Sequence, residues 1–156
     1  MLHMEWLGRR LAGYLSKPSK RAARLATCSP EQLAAALRKG DVLLVEGSSR
    51  FSSAIKYLTQ STWSHAALCI QDCAPDADCL LEADLMAGVQ LVPLSRYATR
   101  HTRICRPVGL SAQELDAVVA QAKARLGQQY DLRNVFDLAR WLIQRPPVPE
   151  TWKRRL

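Results

Sequence analysis

Trp63-Ser64-His65-Ala66-Ala67-Leu68-Cys69-Ile70 and Cys79-Leu80-Leu81-Glu82-Ala83-Asp84 are two short apolar runs separated by the segment Gln71 to Asp78. That segment carries Pro75 and three Asp, so it reads as a loop. Each run has the length of a strand, and the loop is short enough for a hairpin. If Ile70 opposes Cys79, then His65 opposes Asp84, and Glu82 is its diagonal neighbour. Side chains two apart in a strand share a face, and such cross-strand neighbours lie within about 4.5–8 Å. Both acids can therefore point where His65 points. A carboxylate beside an imidazole orients the ring, fixes its tautomer and raises its basicity. The bland alternative is a surface ion pair of little energetic consequence.

Working outward, Asp41 to Glu46 reads as a buried strand before the hairpin. Val89 to Val92 and Arg103 to Pro107 read as strands after it. Ser29-Pro30-Glu31-Gln32 and Ser111-Ala112-Gln113-Glu114 each have the form of a capping box. The first predicts a helix with Leu33 and Leu37 buried, ended by Gly40. The second predicts a helix with a stripe of Leu115, Val118, Val119, Ala122 and Leu126, closed by Gly127. A short helix is expected from Ser52 or Ser53 to Thr59, and a last one from about Arg133 to Ile143. Short strands in the middle with helices at both ends predict an α+β fold built on a small antiparallel sheet. The strand order is left open.

Composition sets outer limits. The chain has 156 residues, 48% hydrophobic and 23% charged, which fits one globular domain. No apolar run approaches the ~20 residues of a membrane-spanning helix. The net charge is +8, but residues 1–26 and 140–156 carry the excess, and the stretch between is close to neutral. Basic ends suit plain solvation or an anionic membrane surface. A nucleic-acid domain would carry its charge on a folded face, so nucleic acid is disfavoured. Residues 1–26 read as a basic extension with an amphipathic helix on Leu7, Leu11, Tyr14 and Leu15. Residues 27–145 read as the domain, and 146–156 as a Pro-rich basic tail.

The five cysteines are Cys28, Cys69, Cys73, Cys79 and Cys105. They form no CxxC and no paired metal spacing, and their number is odd. Reduced thiols in a cytosol are expected, with a peripheral place at the inner membrane as the extension. Leu25-Ala26-Thr27-Cys28 loosely resembles a lipoprotein cleavage site, but no apolar export segment precedes it. No cofactor or metal is expected, and His3 and His101 are expected to stand alone on the surface.

Five motifs in order resemble one family. Gly40-Asp41-Val42-Leu43-Leu44-Val45 is similar to its opening strand, and Gln60-Ser61-Thr62-Trp63-Ser64-His65-Ala66-Ala67-Leu68 to its histidine motif. Leu81-Glu82-Ala83 with Gly88-Val89 and Val92-Pro93-Leu94 resembles its middle segment. Arg106-Pro107 and Gly127-Gln128-Gln129-Tyr130-Asp131 resemble its later marks. The family is the permuted papain-like cysteine hydrolases of the NlpC type, YiiX/YebB-like. The resemblance implies a papain-like fold and thiol-mediated hydrolysis of a small amide, peptide or lipid-linked substrate. His65 would be the general base, Glu82 its orienting acid, and Tyr130 a lining group near the oxyanion. Ser64, Asp84 and Trp63 would be binding residues. Topology, apart from the resemblance, predicts that the turn Met86-Ala87-Gly88 and the loop 71–78 rim the site.

The family's nucleophilic cysteine would follow the Gly-x-x-Tyr-Asp mark, and no cysteine follows Cys105. Cys69 shares a face with His65 but lies four residues along, about 13 Å away at ~3.3 Å per residue. The expectation is an incomplete copy, with the thiol beyond Leu156. A domain without it would be a binding module of the same fold, docking on lipid through its basic ends.

Overall fold

The computed structural model describes residues 28–129. Its centre is a five-stranded antiparallel sheet in the order β4-β3-β2-β1-β5. The strands are β1 (Val42–Val45), β2 (His65–Cys69), β3 (Asp78–Asp84), β4 (Gly88–Pro93) and β5 (Thr102–Cys105). Helices α1 (Pro30–Ala36), α2 (Arg50–Thr59) and α3 (Ala112–Lys123) accompany it, with a 3₁₀ turn at Leu94–Tyr97. The fold is α+β, as the run of short strands between capped helices predicts. The expected helix at 133–143, the N-terminal extension and the basic tail lie outside the described residues.

One sheet face holds the core. Leu43 and Val45 of β1, Ala67 and Cys69 of β2, Leu80 of β3 and Val92 of β4 are all buried on it. They alternate along their strands because successive side chains point to opposite faces. Leu33 of α1, Leu37 just after it, and Leu94 and Tyr97 from the 3₁₀ turn close over them. The capping box predicted at Ser29 is present: Ser29 Oγ accepts from the Gln32 N–H, and Gln32 Oε1 accepts from the Ser29 N–H. This helix ends at Ala36, earlier than Gly40. Leu37 is already extended, so its side chain turns into the core, and Gly40 serves the turn into β1 with φ +88°.

The second helix also starts earlier than expected. Ser49, not Ser52 or Ser53, is its N-cap, with Oγ accepting the Ser52 N–H at 3.0 Å. Strand β5 ends at Cys105, before Pro107, where Arg106 leaves the ladder to pair with Asp41. Asp41 is 1% exposed, and its carboxylate also accepts the Arg38 N–H. The Arg106 hydrogen bonds hold this carboxyl below its ordinary value although burial opposes it. The Ser111–Glu114 capping box forms as predicted. Of the stripe on that helix only Val119 is buried, while Val118 and Leu126 are exposed among the described residues.

The cysteines are not all reduced. Cys73 and Cys79 form a disulfide across the β2–β3 loop. The hairpin sets their Cα atoms 5.4 Å apart, within the range a disulfide spans. Cys28, Cys69 and Cys105 are free.

Candidate active site

The register decides what His65 meets. Ala67 pairs with Glu82, Leu68 with Leu81 and Cys69 with Leu80, and the Ile70 N–H donates to the Cys79 carbonyl. This is the register expected from the hairpin, and it puts His65 and Glu82 on the core face. Along β2 that face runs from buried Cys69 and Ala67 to half-buried His65. Along β3 it runs from Leu80 to Glu82. The apolar core thus gives way to polar side chains at one end of the sheet.

There the ring of His65 meets Glu82, with Nε2 to Oε2 at 2.8 Å. Glu82 is 3% exposed, and its two oxygens are saturated. Oε2 takes His65 and the Tyr97 hydroxyl, while Oε1 takes Gln90 Nε2 at 2.9 Å and Arg96 Nη2 at 3.4 Å. Burial alone would raise the pKa of this carboxyl. The hydrogen bonds from His65, Tyr97 and Gln90 outweigh burial and bring it down to about 2. Glu82 is therefore an ionised acceptor at neutral pH. Burial and the bond to Glu82 push the Tyr97 phenol upward, so it stays protonated and donates.

The tautomer of His65 follows from these partners. Nε2 has Glu82 Oε2 at 2.8 Å and Tyr97 Oη at 3.1 Å. The carboxylate can only accept, and the phenol has already given its proton to it, so Nε2 must carry the hydrogen. In the neutral ring this tautomer puts the lone pair on Nδ1, which makes no hydrogen bond among the described residues.

His65 opens on a cavity of about 370 Å³, lined also by Glu82, Asp84, Tyr97, Arg96 and Arg100 and, across from them, Ser48, Phe51, Ser52 and Ser64. Ser64 Oγ accepts the Gly47 N–H at 2.9 Å. A Cβ on Gly47 would overlap the Ser52 and Ser64 hydroxyl oxygens. A glycine there lets the end of β1 approach both serines.

The sequence-selected residues are distributed as follows. His65 and Glu82 are in contact, and Ser64 and Asp84 line the same cavity. Asp84 spends one oxygen on the Met86 and Ala87 N–H groups of the β3–β4 turn, at 2.8 and 2.9 Å. Trp63 is not among the cavity-lining residues; its ring lies against His101 at a centroid distance of 4.8 Å. His101 does not stand alone, since Nδ1 is 3.2 Å from Glu46 Oε2. The loop 71–78 joins β2 and β3 at the end away from His65, so it does not rim the cavity. Tyr130 lies outside the described residues.

Tyr97, Arg96, Arg100 and Gln90 were not singled out by sequence reasoning. Gln90 had a usable signal, because continuing the β3–β4 hairpin register pairs it with Glu82. The others sit in or beside a 3₁₀ turn, which has no periodic pattern to read.

No cysteine lines the cavity. Cys69 is fully buried in the core, and burial pushes its thiol up. Cys73 and Cys79 are joined at the far end of the hairpin. Cys105 pairs with Val42, at the opposite end of β1 from Val45, which pairs with His65. Cys28 packs beside the core ahead of α1. Among the described residues no group of three or more His, Cys, Asp or Glu is placed to hold a metal ion.

A family model described as permuted papain-like amidase enzyme, YaeF/YiiX, C92 family, matches residues 36–139. The chain belongs to this family. The match takes in every described strand and the His65–Glu82 pair, and it makes the domain papain-like and its family one of amidases. No curated protein matches the chain.

Proposed function

We propose that this domain is the acid–base half of a cysteine amidase, with His65 as general base and Glu82 as its orienting carboxylate. The observation that carries the reading is the bond from Nε2 to a buried, ionised Glu82 in a ring that lines the cavity, so that in the neutral ring Nδ1 is the basic nitrogen. Nδ1 would take the proton of a nucleophilic thiol, and the thiolate would attack the amide carbonyl. The imidazolium would then return the proton to the departing amine as the C–N bond breaks. Water, deprotonated by the same nitrogen, would hydrolyse the acyl-enzyme. The buried carboxylate stabilises the imidazolium formed in each half.

None of the five cysteines lines the cavity, and the family resemblance puts the thiol downstream of Gly127-Gln128-Gln129-Tyr130-Asp131. The reading therefore assigns the nucleophile to none of these five cysteines. The test is alkylation with limiting iodoacetamide across pH 5 to 9, each adduct located by mass, with His65→Ala alongside. Exposed Cys105 is expected to label readily and buried Cys69 slowly, and no cysteine is expected to depend on His65. A cysteine that labels fast below pH 7, and loses this in His65→Ala, would overturn the placement of the thiol.

A further inference from the structure

The charged groups on the cavity wall are unequally satisfied. Glu82 is held by four donors, one of them Arg96. Asp84 is engaged by two backbone N–H groups of its turn. Among the described residues Arg100 has no carboxylate; its guanidinium makes one side-chain contact, from Nη1 to the neutral hydroxyl of Ser48 on the opposite wall. Its backbone is fixed, because the Arg100 N–H donates to the Tyr97 carbonyl at 2.9 Å. The turn that carries Tyr97 to Glu82 therefore also carries Arg100 to the cavity. A guanidinium presents five N–H donors in a rigid fork and matches a carboxylate with two parallel bonds.

From this we infer that Arg100, with the Ser48 hydroxyl, is a carboxylate-binding subsite, and that the preferred substrate is an amide carrying a free carboxylate close to the scissile bond. The inference rests on the amidase reading for the nature of the bond cleaved. The cavity of about 370 Å³ is at the small end of the range for ligand pockets, about 300–1,000 Å³. It suits an acylated amino acid better than a long peptide. Arg96 does not compete for the role, since its charge already faces Glu82. The anion is accommodated beside Glu82 because that carboxylate is buried and fully hydrogen-bonded, whereas Arg100 is only half-buried.

Binding is measured without turnover, so the subsite and the amidase reading fail separately. The probes are N-acetylglycine, N-acetylglycinamide and inorganic phosphate, titrated at equal ionic strength into the 156-residue chain and followed by amide NMR. N-acetylglycine is expected to shift the Ser48, Ser64 and His65 signals saturably and to bind about tenfold tighter than the amide, the scale of one charge-assisted contact. Arg100→Gln should abolish that difference, and Arg96→Gln should keep it. Unshifted core resonances in both variants establish that they are folded. Equal binding of the two acetyl probes, a preference that survives Arg100→Gln, or no saturable shift overturns the proposal. Phosphate binding in place of N-acetylglycine also overturns it, by making the subsite one for phosphate. A carboxylate that binds through Arg100 in a domain whose His65 proves not to be a base would leave the subsite standing and remove the amidase reading.

Discussion

Replacing Glu82 by glutamine keeps the shape of the side chain and removes its charge. In the folded protein this carboxyl lies at about 2 against an ordinary value of 4.5. At about 1.4 kcal/mol per tenfold change in proton affinity, that difference is worth about 3 kcal/mol of folding free energy. The group is 3% exposed, so solvent screening takes little from it. Because the folded value is depressed, the contribution is fully present above pH 4.5 and is lost as pH falls through about 2. Other lowered carboxyls, such as Asp41 and Glu46, titrate in both proteins and cancel in the comparison. The amide introduced by Glu82→Gln would also turn an N–H₂ group toward donors that the carboxylate had accepted from, so the wild-type advantage at pH 7 should reach the full figure. In urea, with a slope of about 1–3 kcal/mol per molar, the midpoint should fall by about 2 M at pH 7. Unfolding followed by tryptophan fluorescence at steps from pH 7 to pH 2 should show the gap closing between pH 5 and 2. Parallel stability curves over that range would refute the buried, ionised state of Glu82 and the orienting role built on it.

Three other perturbations probe separate parts of the account. Tyr97→Phe removes one donor to Glu82 Oε2; it should cost about 1.5–3 kcal/mol, the range for a bond to a charged group, and move the acid loss of stability to higher pH. Arg106→Gln leaves the buried Asp41 carboxylate with the Arg38 N–H but without its guanidinium; a lower urea midpoint is expected at pH 7, because the carboxylate stays buried after its cation is removed. Ser111→Ala removes the cap of α3 and should cost about 1 kcal/mol, checked by thermal unfolding.

What the sequence discloses about this site depends on locality. His65 and Glu82 could be aligned because the hairpin that joins them fixes register through its own loop, with Ile70 and Cys79 as the last pair. Both capping boxes were legible for the same reason, since their partners are three residues apart. The start of α2 was not, because Ser48, Ser49, Ser52 and Ser53 can all cap and only the chain's direction out of β1 selects Ser49. β5 joins β1 across α2 and three intervening strands, a pairing no local pattern encodes. Tyr97 and Arg100 reach the site through that same non-local packing. The Cys73–Cys79 pair was hidden by the odd cysteine count, which invites no pairing.

The central claim is that Glu82 holds His65 in the Nε2–H tautomer, which makes Nδ1 the basic nitrogen of the neutral ring. Long-range ¹H–¹⁵N NMR of the His65 ring at pH 7.5, assigned with His65→Ala, reads this directly. The account predicts the Nε2–H tautomer, weakened or mixed in Glu82→Gln. An Nδ1–H tautomer in the wild-type chain, or a ring indifferent to Glu82→Gln, would contradict it.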